Sequence, residues 1–140
     1  MALPTKLQLQ VVSAERSLVS EQVDEVVIPG LLGYFGVLPG HAPLLGVLGV
    51  GELSYRQGSQ WSYLLIALGF AEVQPERVTI LAEIAEKAED VDVTRAEAAK
   101  TRAEQRLATF TVDMDAERAR IALLKSLIRL QVSTRARIRS

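Results

Sequence analysis

Apolar and polar positions follow two different periods along this chain. From Lys6 to about Ile84 the period is two. In KLQLQVV, Leu7, Leu9 and Val11 alternate with Gln8 and Gln10, as on a strand with one buried face. VDEVVIPG, GELSYRQ, WSYLLIAL, FAEVQ and RVTILAE follow at short intervals, and QGSQ (Gln57 to Gln60) predicts a hairpin turn with Gly58 at its tip. Short strands so spaced predict an antiparallel β-sandwich or flattened barrel.

Near Glu86 the period becomes helical. No glycine follows Gly69 and no proline follows Pro75. Asp92 or Thr94 can cap a helix, and Thr94 with Glu97 has the spacing of a capping box. Ala96, Ala99, Ala103, Leu107 and Phe110 then recur at helical steps. TFTVDMD interrupts them: its β-branched residues weaken the first helix, and Asp113 or Asp115 can cap a second, predicted from about Met114 to Val132. Ala116, Ala119, Leu123, Leu127 and Leu130 form that helix's apolar side. The chain therefore reads as α+β, a β-sandwich over residues 1–86 and an antiparallel two-helix hairpin over residues 87–140. The first helix presents mainly alanine, and a buried methyl contributes about 0.8 kcal/mol against about 1.5–3 for a leucine or phenylalanine. A hairpin held through such a seam is expected to leave its docked position at modest free energy.

One tract fits neither period. Val26 to Gly51 carries no aspartate, glutamate, lysine or arginine, and within it GYFGVLPGHAPLL (Gly33 to Leu45) is loop-like yet nearly as apolar as a core. A membrane-spanning helix needs about 20 uninterrupted apolar residues. Pro29, Pro39 and Pro43, with seven glycines from Gly30 to Gly51, exclude one and predict short strands joined by tight turns.

Composition narrows the chemistry. The formal net charge is −1, which gives no sign of a nucleic-acid partner, and there is no cysteine for a disulfide or thiolate metal site. MALPTKLQLQVV does not read as a secretory signal. The charge is unevenly spread: from Arg118 onward the chain is basic, with Arg118, Arg120, Lys125, Arg129, Arg135, Arg137 and Arg139 and no acidic residue. His41 is the sole histidine, so a histidine metal cluster is excluded, and no nucleophile and base pair is visible. The glycine-rich tract lacks the Gly-Lys-Ser/Thr ending of a phosphate loop. On the predicted first helix Arg95, Arg102 and Arg106 share a stripe of like charge, which a bound polyanion would relieve.

GVLPGHAPLL (Gly36 to Leu45), LGFAEVQPERVTILAE (Leu68 to Glu83) and DVTRAEAA (Asp92 to Ala99), in that order, resemble the epsilon subunit of the bacterial rotary ATP synthase over essentially the whole chain. The resemblance implies a non-catalytic subunit of the central stalk, coupling ring rotation to ATP synthesis and restraining ATP hydrolysis through its C-terminal hairpin. It implies partners in the gamma subunit, the c-ring and the alpha and beta catalytic subunits, and a peripheral position on the cytoplasmic face of the bacterial inner membrane, reached through those partners alone. The expected contact surface is Tyr34, Phe35, Val37, Leu38, His41, Pro43 and Leu44. No cofactor is required. The resemblance suggests ATP as a regulatory ligand, since Val91 to Ala96 approximates a nucleotide-binding motif of some members. Asp92 and Arg95 match it directly, Arg102 and Arg129 match further basic positions, Glu86 an acidic one, and Lys125 stands where an arginine is found. Without a nucleotide, Asp92 reads as a helix cap and the arginines as a solvated face. The basic residues Arg118, Arg120, Lys125, Arg129, Arg135 and Arg137 are the expected inhibitory tail; otherwise they are a solubilising end. The competing function is a free-standing protein that senses a nucleotide by opening its hairpin.

Overall fold

The computed structural model describes residues 3–109 and 115–139, with the side chains of 138 and 139 left aside. Seven strands come first: β1 (Leu7–Ser13), β2 (Ser17–Val23), β3 (Glu25–Gly30), β4 (Gly33–Val37), β5 (Leu44–Gln57), β6 (Gln60–Gln74) and β7 (Arg77–Lys87). A 3-10 turn, Ala88–Asp90, leads to α1 (Val93–Ala108) and α2 (Ala116–Arg139). The strand order is β2-β1-β7-β6-β5-β3-β4. All pairings are antiparallel except β1 with β7, which is parallel.

This single run of strands becomes a β-sandwich because its three longest members bend at one row. Before the row, the core-facing residues are Leu48 on β5, Ala71 and Val73 on β6, and Val78 and Ile80 on β7. Beyond it they are Leu53 and Tyr55 on β5, and Leu64 and Ile66 on β6, so the parity of inward positions is inverted. Leu48, Gly69 and Ala82 are register partners on one side of the row; Val50, Ala67 and Ile84 are partners on the other. Leu68 and Gly69 make the kink in β6, both at positive φ, 63° and 123°. Only glycine fits the second place, since a Cβ there would stand 2.0 Å from the Leu81 carbonyl oxygen.

The tract GYFGVLPGHAPLL is built of the expected short strands and turns: Gly33–Val37 is β4, Leu44 and Leu45 open β5, and residues 38–43 are irregular. Two sequence expectations need correction. β2 had no counterpart in the sequence reading. The second helix runs past Val132 to Arg139, and its buried side is Ala119, Ser126, Ile128, Val132 and Ser133 rather than a stripe through Leu127, which is exposed. Phe110, Asp113 and Met114 lie outside the described residues. The helix starts follow the capping logic: Asp92 accepts from the Arg95 backbone N–H and Asp115 from that of Arg118, each at 3.0 Å.

One polar clasp closes the sandwich edge. The Gly58 N–H donates to Asp24 Oδ2 at 2.7 Å, Lys6 Nζ donates to Oδ1, and Arg56 Nη1 lies 3.9 Å away. The Gly58 hydrogen bond foremost, then Lys6 and Arg56, hold the Asp24 pKa below its ordinary 3.8. The stability this confers is complete above 3.8 and is lost as pH falls through the lower folded value. Asp24→Asn is therefore expected to destabilise the protein at neutral pH and to lose that difference in strong acid, as read by urea midpoints along a pH series.

A cation-lined cleft under the hairpin and a bare face opposite

The hairpin rests on the sheet mainly through one helix. α2 packs on β5, β6 and the 3-10 turn, while α1 packs chiefly on α2. Ile128 and Val132 enter a small second core with Leu65 and Ala88, flanked by Val50, Tyr63 and Ile84. This revises the expected weak seam: alanines, Ala96 and Ala103 among them, join α1 to α2, but branched side chains join α2 to the sheet. Burial of two such side chains amounts to about 3–6 kcal/mol at most. That is below or near the lower end of a domain's total stability, about 5–15 kcal/mol. Undocking of the hairpin ahead of global unfolding remains energetically natural.

Between α1, α2 and β7 lies an open cleft of about 340 Å³, lined by Glu86, Asp90, Asp92, Arg95, Arg102 and Arg129 with Ala96 and Ala99. Five of the six expected nucleotide-site residues thus meet here. Arg129 donates through Nε and Nη2 to Glu86 Oε2 and Oε1, both at 2.8 Å, a two-pronged contact of an arginine on a carboxylate. Asp92 is engaged as the α1 cap. Arg95 and Arg102, two turns apart on α1, have no carboxylate partner among the described residues. The sixth residue, Lys125, falls elsewhere, in a second hollow with Arg106, Arg118 and Asp115 near the helix turn. The cleft pairs three carboxylates with three guanidinium groups, so it has polarity without a net charge. Among the described residues no cluster of His, Cys, Asp or Glu could hold a metal ion, and no helix is long and apolar enough to cross a membrane.

Among the described residues, three of the six basic residues of the expected tail pair with carboxylates of the chain itself. Arg120 pairs with Glu117 at 3.0 Å, Arg129 with Glu86, and Arg135 with Glu52 at 2.9 Å. Arg137 donates to the Thr134 hydroxyl at 3.4 Å.

The expected contact surface divides. Tyr34, Leu38, Pro43 and Leu44 are exposed, and the His41 ring lies against the Ala42 carbonyl, Nδ1 to O 2.7 Å. Phe35 is half-buried against the core, and Val37 is wholly buried opposite Val26, so Val37 is a core residue and not a contact. The structure adds residues the sequence reading missed. Val47, Phe70 and Leu81 are cross-strand partners on the outer face of β5, β6 and β7, each about half exposed, and Leu45 beside them is 71% exposed. Leu31 and Leu32 form the exposed tip of the β3–β4 hairpin between Gly30 and Gly33. The available signal was the loss of alternation in LLGVL, where both parities are apolar, and two leucines set between glycines.

A seven-stranded sandwich with a small-residue hairpin laid on one outer face is the architecture of a rotary-stalk subunit family. The family model "ATP synthase, Delta/Epsilon chain, beta-sandwich domain" matches residues 6–88, and its "long alpha-helix domain" matches residues 89–134. The chain belongs to this family and is a non-catalytic subunit of that complex. It is 47% identical over 126 residues to an ATP synthase epsilon chain of Nitratidesulfovibrio vulgaris strain DP4, covering 90% of this chain and 94% of the relative. It is 48% identical over 128 residues to the epsilon chain of Syntrophobacter fumaroxidans, covering 91% and 96%. In fold it is similar to a chain in the cryo-EM structure of the Euglena gracilis mitochondrial ATP synthase, with a TM-score of 0.80, 24% identity, and coverage of 97% of this chain and 84% of that one.

Arg129→Ala is expected to weaken docking of α2 by roughly 1–2 kcal/mol, since a carboxylate half withdrawn from water loses both its donors. Hydrogen exchange should then quicken in α2 and leave β1, β6 and β7 unchanged; uniform quickening would mean that hairpin and sandwich open together.

Proposed function

We propose that this chain is the epsilon subunit of the central stalk in a proton-translocating bacterial ATP synthase, seated by its sandwich on the gamma subunit and the c-ring. The carrying observation is the bare outer face. Leu45, Val47, Phe70 and Leu81 form a contiguous apolar surface across three strands, with Leu31, Leu32, Leu38 and Leu44 exposed at the loops and strand ends. A patch of this kind on a small domain marks a surface that a partner covers. It also weighs against a free-standing nucleotide sensor, which would leave that face in water. The subunit would sit peripherally on the cytoplasmic face of the cell membrane, held there by its partners.

The hairpin is the regulatory part of this reading. Undocked and extended, α2 would offer Arg118, Arg120, Lys125, Arg129, Arg135 and Arg137 to acidic surfaces of the alpha and beta subunits and so restrain ATP hydrolysis. ATP would oppose this by binding the cleft, its phosphates on Arg95 and Arg102 and against the Glu86 and Arg129 pair. The cleft volume, about 340 Å³, lies within the range of small-molecule sites, about 300–1,000 Å³. A ligand that binds only the docked form stabilises it by mass action. Because three carboxylates share the cleft and Lys125 is not part of it, modest affinity is expected.

Val47→Asp and Phe70→Asp, both on the exposed face, should abolish co-purification with gamma while moving stability by no more than about 0.5 kcal/mol. Retention of gamma by both variants would refute the placement of the partner surface. Calorimetric titration of ATP into the isolated subunit should give heat that Arg95→Ala and Arg102→Ala each remove. No heat at millimolar ATP would end the nucleotide reading without touching the stalk assignment.

A further inference from the structure

Glu52 stands on the outer face of β5 beneath α2, away from both hollows just described. Its side chain is 9% exposed. Oε1 is shut off from solvent, with no aligned hydrogen-bond donor among the described residues. A carboxylate so placed is strongly destabilising unless a cation lies against it. That cation is Arg135, near the end of α2, whose Nε is 2.9 Å from Oε1. The Arg135 guanidinium carbon also lies 5.5 Å from the centroid of the Tyr63 ring. Ser54, Trp61 and Tyr34 complete the hollow, and the Tyr34 hydroxyl accepts from the Glu52 backbone N–H at 3.0 Å.

A buried carboxylate and an aromatic face converging on one planar cation select a guanidinium over an ammonium. Because Arg135 is half exposed, its departure exposes little of the sandwich core. We infer that Glu52 and Tyr63 form an arginine-binding site on the sandwich, filled in cis by Arg135, and that this site locks the hairpin in its docked position. The inference rests on the reading that the hairpin undocks, and is independent of nucleotide binding. The lock lies just beyond Val132 on α2, so it adds an ionic attachment to the apolar one that Ile128 and Val132 make in the second core. With Arg135 gone, Glu52 faces Tyr34, Trp61 and Tyr63 without a counter-ion, which favours reclosure until another arginine takes the place.

The test uses the full chain, whose lack of cysteine allows a fluorescent pair to be placed specifically at Ser59→Cys on the sandwich and Thr134→Cys on α2. Glu52→Gln and Arg135→Ala should each lower the ratio of docked to undocked hairpin by on the order of tenfold, and the double variant no further than the worse single. Arg135→Lys should recover only part of the loss. In Arg135→Ala, N-acetylarginine amide should produce saturable shifts in the Tyr63 and Trp61 NMR signals. N-acetyllysine amide should not, and Glu52→Gln should abolish the response. Unchanged docking in both single variants, additive losses in the double, or no response to the arginine amide would each overturn the inference. None of these readouts contains ATP or a partner subunit, so they fail separately from the proposed function.

Discussion

The structure depends on a geometric constraint at one row of the sheet, where β5, β6 and β7 exchange the residues that face inward. A two-residue period allows no such exchange without a kink, and Leu68 with Gly69 supplies it at positive φ. The consequence is a sandwich with two outer faces made by the same three strands. On one, Tyr63, Leu65 and Ile84 turn outward and are covered by Ile128 and Val132 of α2. On the other, Val47, Phe70 and Leu81 turn outward and nothing in the described chain covers them. The hairpin and the partner surface are thus two answers to one problem, since a strand this apolar on both sides needs a cover on each.

The two covers differ in how firmly they are held. Leu65 is wholly buried with Val50, Tyr63 and Ile84 beside it, so departure of α2 would expose an apolar patch on this face. Charge decides how readily that happens. Arg129 and Arg135 reach the sheet one on each side of Val132 and meet Glu86, which is partly exposed, and Glu52, which is nearly buried. Breaking either pair leaves a carboxylate poorly solvated, a penalty that recurs until a new cation or water replaces the old one. Docking is thus supported at a few discrete points, apolar at Ile128 and Val132 and ionic at Glu86 and Glu52.

Much of this was legible in the residues. The alternation of KLQLQVV predicted β1, the change of period near Glu86 placed the helices, and Asp92 was available as a cap. The grouping of Glu86, Asp92, Arg95, Arg102 and Arg129 in one cleft matches five of the six positions that the family resemblance suggested, whereas Arg106, on the same charged stripe as Arg95 and Arg102, lines a different hollow. What was hidden was hidden for physical reasons. SLVSEQV buries Leu18, Val19 and Val23, a pattern without clean alternation, because β2 pairs with β1 across a register shift. Gly33 and Gly36 disguised β4; both are exposed, and a Cβ on either would meet nothing within 4 Å, so no core packing depends on a side chain there. The α2 stripe was misplaced because that helix serves α1 and the sheet at once, and a single periodic pattern cannot describe two buried sides. Lys125 was assigned by correspondence to the cleft, yet its position on α2 directs it to the hollow beside Arg106 and Arg118.

The apolar tract between Val26 and Gly51 then has a plain physical reading. Its residues are divided between two destinations by the strand period: Val26, Ile28, Val37 and Leu48 go inward, and Leu38, Leu45 and Val47 go outward. A chain that only had to fold would make the second set polar, since exposed valine and leucine on a long strand invite unwanted association. Keeping both parities apolar is consistent with an outward set that is buried in an assembly. Glu52 obeys the same logic on the opposite face, where a carboxylate beneath a helix is tolerable only because Arg135 arrives with that helix. The two outer faces therefore differ in what they carry: the face under α2 combines an apolar contact at Leu65, Ile128 and Val132 with buried charge at Glu52, and the other face is apolar and bare among the described residues.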